Sequence, residues 1–198
     1  MQPAAEVPGR IRVEGDAHIE FRKLWLNPAG HETDRVLRVE PAAAGTMLLD
    51  GLQPDVYTLP VYGMPPQFYF KSERQGERDL LALGLDTSLS TGPVEIVLSP
   101  DGGEVAGTAA VGATVVLVPG PERRAQIQLW KNTTADAQGR FLLRGVAPGD
   151  YRVFAWQEIE DGGWFDPAVL QKNESHWEKV TVRESARETV QVTAIPPR

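Results

Sequence analysis

Apolar and polar residues alternate in short runs along this chain, the period of a strand with one buried face. Val94-Glu95-Ile96-Val97-Leu98 puts Val94, Ile96 and Leu98 on one side. Residues 178–183 turn Val180 and Val182 inward, and residues 188–193 do the same with Val190 and Val192. The pattern predicts that these last two strands are antiparallel neighbours, joined by a Glu184-Ser185-Ala186 turn. The stretch 114–118 is a β-branched run without alternation, which predicts a strand covered on both faces. A further strand is expected over 19–26. Long helical periodicity is missing. Asp166-Pro167-Ala168-Val169-Leu170-Gln171-Lys172 departs from the β pattern: an N-cap residue precedes a Pro at the first helical position, so one or two helical turns are expected there. Residues 77–82 are its non-proline counterpart, a helical turn or a loop.

One phrase is written twice. FLLRGVAPGDYRVFAW, residues 141–156, follows MLLDGLQPDVYTLPVY, residues 47–62. Aligned without a gap at one offset, 45–57 and 139–151 share Gly45/Gly139, Leu48/Leu142, Leu49/Leu143, Gly51/Gly145, Pro54/Pro148 and Tyr57/Tyr151. Asp136-Ala137-Gln138-Gly139 reads as a tight turn with Gly139 at positive φ. Pro148-Gly149 suits the centre of a type II turn. The first copy has Asp55 where the second has Gly149, and Asp enters the left-handed region less readily than Gly. The tyrosine packs its ring in a core and satisfies its hydroxyl at the edge. A strand precedes each phrase and another closes it. The chain therefore divides into two homologous all-β units, 1–99 and 100–198, with the turn-rich Ser99-Pro100-Asp101-Gly102-Gly103 between them. Two small tandem sandwiches fit this better than a solenoid.

Composition narrows the function. The net charge is −7, and neither half is basic: up to Ser99 there are 9 basic and 14 acidic residues, and 11 and 13 thereafter. That argues against a phosphate-binding surface, and so against nucleic acid. Arg123-Arg124 reads as solvated surface. The absence of cysteine excludes disulfides, thiolate zinc sites, iron–sulfur clusters and a thiol nucleophile. No run approaches the roughly 18 apolar residues of a membrane span. Met1-Gln2-Pro3-Ala4-Ala5 has neither the charge nor the apolar core of a signal peptide.

The second unit resembles the carboxypeptidase regulatory-like domain family. GGEVAGTAAVGATVVLVP, TADAQGRFLLRGVAPGDYRVFAWQE and VTVRESARETVQVTAI carry the likeness over nearly all of 101–195. Residues 10–99 resemble the family more weakly, with Gly9-Arg10-Ile11-Arg12-Val13 in place of the opening Gly-x-Val-x-Gly strand. The resemblance implies two transthyretin-like, Ig-like antiparallel β-sandwiches of the carbohydrate-binding-like group. It also implies a non-catalytic accessory module of an exported or envelope protein, hence an extracytoplasmic location.

Constellations for catalysis are not found. His18, His31 and His176 lack metalloprotease spacing, and no Gly-x-Ser-x-Gly occurs. Ser88, Ser90 and Ser175 read as turn residues. Glu158-Ile159-Glu160-Asp161-Gly162-Gly163 lacks EF-hand ligand spacing and reads as a solvated loop. No metal and no cofactor is expected. The aromatics Trp156, Trp164, Phe165 and Trp177 offer the best candidate site. Exposed indole faces stack on sugar rings, with carboxylates such as Asp161 and Asp166 holding hydroxyls. The alternative is that Phe154 and Trp156 point away from the inter-sheet core and the loop bearing Trp164 covers them. Tyr62, Phe68, Tyr69 and Phe70 invite the same two readings in the first unit. The expected partner is another protein domain or, on the sugar reading, a polysaccharide.

Overall fold

The computed structural model describes residues 4–34, 36–89 and 92–197. The fold is all-β with a few short helices. The chain divides into two compact units, Met1–Pro100 and Asp101–Arg198.

The first unit contains β1 (Ala5–Val13), β2 (Trp25–Leu26), β3 (Ala29–Gly30), β4 (Thr46–Leu52), β5 (Val56–Thr58), β6 (Val61–Tyr62), β7 (Tyr69–Gln75), β8 (Arg78–Asp79), β9 (Leu85–Asp86) and β10 (Val94–Ser99), with helix α1 at Leu80–Leu83. One layer is the sheet β4-β1-β10-β7-β8, in which β1 and β10 run parallel. Alternation in β10 works as expected: Val94, Ile96 and Leu98 are fully buried. The second layer is broken into β2-β6 and β3-β5-β9. Prolines break it. Trp25 pairs with Tyr62, Leu26 with Val61, Ala29 with Thr58 and Gly30 with Tyr57, all in one register. The missing rungs fall at Pro28 and Pro60, which have no N–H to give to a ladder. The Asn27 N–H donates to the Pro60 carbonyl at 3.3 Å across the gap. The strand expected over 19–26 is thus reduced to β2, preceded by a 3₁₀ turn at Phe21–Lys23. Its buried residues, Ile19, Leu24 and Leu26, are not spaced for a strand.

The second unit contains β11 (Gly103–Thr108), β12 (Thr114–Pro119), β13 (Lys131–Thr134), β14 (Arg140–Val146), β15 (Gly149–Trp156), β16 (Glu178–Val182) and β17 (Arg187–Gln191), with helix α2 at Pro167–Lys172. Sheets β14-β11-β17 and β13-β12-β15-β16 enclose a core that includes Val105, Leu117, Leu143, Val153 and Val182. Val115, Val116, Leu117 and Val118 are all inaccessible, so β12 is covered on both faces as its composition predicts. The expected pairing of the last two strands is not what forms. β16 pairs with β15, whereas β17 pairs in parallel with β11 in the other sheet. Alternation reports which face is buried and is silent on the neighbour. The turn between them is a corner of the sandwich, where Ser185 takes φ 53° and its N–H donates to the Asp101 carbonyl.

The doubled phrase occupies equivalent places. In β4-β1-β10 and in β14-β11-β17, the phrase strand runs antiparallel to the first strand, which is parallel to the last. Val7 faces Leu49 as Val105 faces Leu143, and each ladder shifts register just before that pair. The counterpart of Gly103-Glu104-Val105-Ala106-Gly107 is therefore Ala5-Glu6-Val7-Pro8-Gly9, four residues ahead of the 9–13 placement expected from sequence. Gly45 and Gly139 have φ of 77° and 72°, and a Cβ there would lie 2.3 Å from the Ile11 carbonyl oxygen and 2.6 Å from that of Ala109. Both tyrosines are 1% exposed. The Tyr151 hydroxyl donates to the Ala147 carbonyl at 2.8 Å, and the Tyr57 hydroxyl accepts from the Gln53 N–H at 3.1 Å. Each bond reaches the backbone four residues upstream, the geometry of a tyrosine corner.

Two local readings change. Among the described non-glycine residues only Ser185 has positive φ, so Asp55 does not imitate glycine. Its carboxylate accepts instead from the N–H groups of Glu32 and Thr33 at 2.9 Å each and Val56 at 2.7 Å. Burial pushes that carboxyl up, but these donors outweigh it and hold it below the usual range. Arg123 is half-buried rather than solvated: Nη1 donates to the Pro148 carbonyl at 3.0 Å, and the guanidinium lies 5.5 Å from the Tyr151 ring centre.

Candidate functional site

In β12 and β15, apolar side chains fill both faces. Val116, Val118, Phe154 and Trp156 project to the outer side of their sheet. Left bare they would form an exposed apolar patch. The segment 157–177 covers them, with Trp164 and Leu170 joining Ile195 in one buried cluster. A 3₁₀ turn at Gly163–Phe165 brings Trp164 down, entered through Gly162 at φ 78°. Helix α2 follows as the Asp-Pro signal predicts, and the Asp166 carboxylate accepts from the Ala168 N–H at 2.8 Å. Asn173 closes the far end by donating from Nδ2 to the Val169 carbonyl at 2.8 Å.

This third layer decides what the candidate residues can do. Trp156 is 3% exposed and stacks on Phe154 with ring centres 5.2 Å apart; Trp164 is 5% exposed. Their ring faces pack against protein, and neither is an open platform for a sugar. Trp177 is half-buried, with the Arg152 guanidinium 4.5 Å above its ring and Arg152 itself 3.4 Å from Glu174. Asp166 is a helix cap. Asp161 is exposed. In the first unit Phe68, Tyr69 and Phe70 are buried, while Tyr62 stacks on Trp25 with ring centres 4.2 Å apart and the Arg38 guanidinium lies 4.5 Å from the Trp25 ring centre.

Two concavities border the covering segment. The smaller, about 210 Å³, brings Asp161 and Trp164 together with Thr114, Asn132 and Thr134. The larger, about 730 Å³, is bordered by Trp156, Glu158, Glu160, Lys172, His176 and Ile195. Trp177 and Asp166 border neither. The sequence reading missed Thr114, Asn132 and Thr134, which lie on β12 and on the edge strand β13. The polar run Lys131-Asn132-Thr133-Thr134 was the available signal, beside the apolar β12 with which it pairs.

The serines and histidines do what isolated polar residues do. Ser88 Oγ donates to Asp86 Oδ1 at 2.6 Å, and that bond leads the causes holding the Asp86 carboxyl below its usual range. Ser175 Oγ lies 3.1 Å from His176 Nδ1 on the surface. Ser90 lies outside the described residues. His18, His31 and His176 are exposed. Among the described residues no group of three or more His, Asp or Glu is placed to hold a metal ion. No helix there is long and apolar enough to cross a membrane.

No protein-family model matches the chain, and no curated protein matches it. Solved structures give distant likenesses. The TIE protein of Bacillus anthracis is 10% identical, with 98% of this chain and 34% of that one covered, at a TM-score of 0.34. This chain thus spans about a third of that protein. GBS52, the minor pilin of Streptococcus agalactiae, is 13% identical over 97% of each chain at 0.32. A DUF3823 family protein of Parabacteroides merdae is 15% identical over 77% of this chain and 90% of that one at 0.31. The two-layer β architecture rests on strand order and register, independently of these likenesses.

Proposed function

We propose that this chain is a non-catalytic interaction module of an exported or cell-envelope protein, built from two carboxypeptidase regulatory-like sandwiches that fold as separate domains, 1–99 and 100–198. The carrying observation is the repeated phrase, which reappears with the same register, the same left-handed glycine and a tyrosine hydroxyl bonded to the backbone four residues upstream, as acceptor in the first copy and donor in the second. Its shared residues serve backbone geometry and core packing, so duplication has multiplied a scaffold. β13 and β17 each end a sheet, and an unpaired sheet edge is a template for a strand of a partner protein domain. Photo-crosslinking residues placed at Thr133 and at Thr189, in the producing cell, test this. The expected result is a discrete adduct with an envelope protein from one edge and not the other. No adduct from either edge, or adducts only with cytosolic proteins, would sink the reading.

A second reading, carbohydrate binding by the second unit, is favoured by the polar concavity that joins Asp161 and Trp164. Hydrogen bonding carries it rather than stacking on Trp156 or Trp164. A glycan array with the whole chain, blank for every saccharide, would end it.

A further inference from the structure

The carboxylates of Asp55, Asp136 and Asp166 are committed to backbone N–H groups. The concavity of about 210 Å³ differs. Within the described residues, the side chains of Thr114, Asn132, Thr134 and Asp161 make no hydrogen bond or ion pair, and the indole N–H of Trp164 has no acceptor. That N–H is also not sealed in the interior, although the residue as a whole is buried. The strands set the arrangement. Thr134 pairs with Thr114 across β13 and β12, and Asn132 stands two residues along on the same face as Thr134. Thr133 also lines the hollow, although alternation turns its side chain to the opposite face. Ile159 supplies an apolar border from the covering segment. The residues Thr114, Thr134, Asn132, Asp161 and Trp164 that line this small hollow thus carry two hydroxyls, an amide, a carboxylate and an indole N–H. Together they offer donors and acceptors of both neutral and anionic kinds.

We infer that this hollow binds a single neutral sugar ring, or the terminal ring of a neutral glycan, through vicinal hydroxyls. The inference rests on the carbohydrate reading above and names its site. Asp161 accepts from two adjacent hydroxyls, Asn132 both donates and accepts, Thr114 and Thr134 adapt to either role, and Trp164 donates. A ligand poor in hydroxyls leaves these groups unmatched. An acidic sugar meets the Asp161 carboxylate in a protein of net charge −7 and is rejected. The volume limits the ligand to one ring inside the hollow.

The test is heteronuclear NMR of the whole chain, whose five tryptophans give separable indole cross-peaks. The probes are glucose, galactose, mannose and N-acetylglucosamine, with glucuronate as the acidic control. The expected result is a saturable shift of the Trp164 indole and of the Thr114, Asn132 and Thr134 amides with at least one neutral sugar, and none with glucuronate. Asn132→Ala, at an exposed edge position, should weaken that binding about tenfold, the effect of losing one to two hydrogen bonds. Asp161→Asn should admit glucuronate. Shifts confined to Trp177 or the larger cleft would overturn this site and keep the carbohydrate reading. Silence at every residue with every probe would overturn both. Binding that Asn132→Ala and Asp161→Asn both leave unchanged would also overturn the site.

Discussion

Glu73 lies on β7 in the core of the first unit at 0% exposure, and neither carboxyl oxygen has a hydrogen-bond partner. Burial, with a smaller contribution from the nearby Asp79 charge, pushes its pKa up to about 8 from an ordinary 4.5. The folded state therefore holds this proton far more tightly than the unfolded chain. The stability linked to Glu73 is fully present below pH 4.5, falls as pH rises towards 8, and levels off above. At about 1.4 kcal/mol per pKa unit, the loss at pH 7 is about 3 kcal/mol, a sizeable part of the 5–15 kcal/mol typical of a domain. Glu73→Gln cannot ionise, so it should recover most of that at pH 7 and nothing at pH 4.5. Urea unfolding followed by the indole cross-peak of Trp25, the tryptophan of the first unit, isolates the right transition. The midpoint at pH 7 should rise by about 2 M, given the usual urea dependence of small domains. A wild-type midpoint that stays flat from pH 5 to 8, or a variant with the same pH slope as wild type, would refute the reasoning.

Tyr57→Phe and Tyr151→Phe should each cost about 1 kcal/mol, and each should lower the unfolding midpoint of its own unit alone. The second loss should be the larger, since it strands a buried carbonyl, and calorimetry of the two variants reads both. Gly139→Ala should destabilise the second unit by about 1–3 kcal/mol, because φ 72° and the Ala109 carbonyl both oppose a side chain; an unchanged melting temperature would contradict that. The donors around Asp55 predict the opposite pH trend to Glu73. The stabilisation is present above the ordinary Asp range near pH 4 and is lost as pH falls through the lower folded value. Asp55→Asn should flatten that acid limb in an acid-unfolding titration.

Much of the scaffold was written in local signals. Gly139, Pro148 and Tyr151 each have one strong conformational or packing preference, and the Asp-Pro pair at 166–167 announced α2. The pairing of β17 with β11 was not legible, because register with a distant strand leaves no trace in the alternation of either. The broken layer of the first unit was half legible. Pro28 and Pro60 are plain in the sequence, but their meeting across one ladder is a tertiary fact. The candidate site divides in the same way. That Trp164 roofs Phe154 and Trp156 follows from two apolar faces needing cover. That Asn132 and Thr134 meet Asp161 depends on how a loop lands on an edge strand, which composition does not encode.

In both units the first and last strands lie side by side and parallel, over five residue pairs from Gly9–Val94 to Val13–Leu98 and five from Glu104–Arg187 to Thr108–Gln191. Tension applied through the ends of such a unit draws these strands past each other lengthwise. The rungs between them then share the load and fail together, where a hairpin pulled open would lose them one by one. Each sandwich is thereby a link that resists stretching. Single-molecule pulling should show two separate high-force events per chain, and low-force unzipping would contradict this geometry.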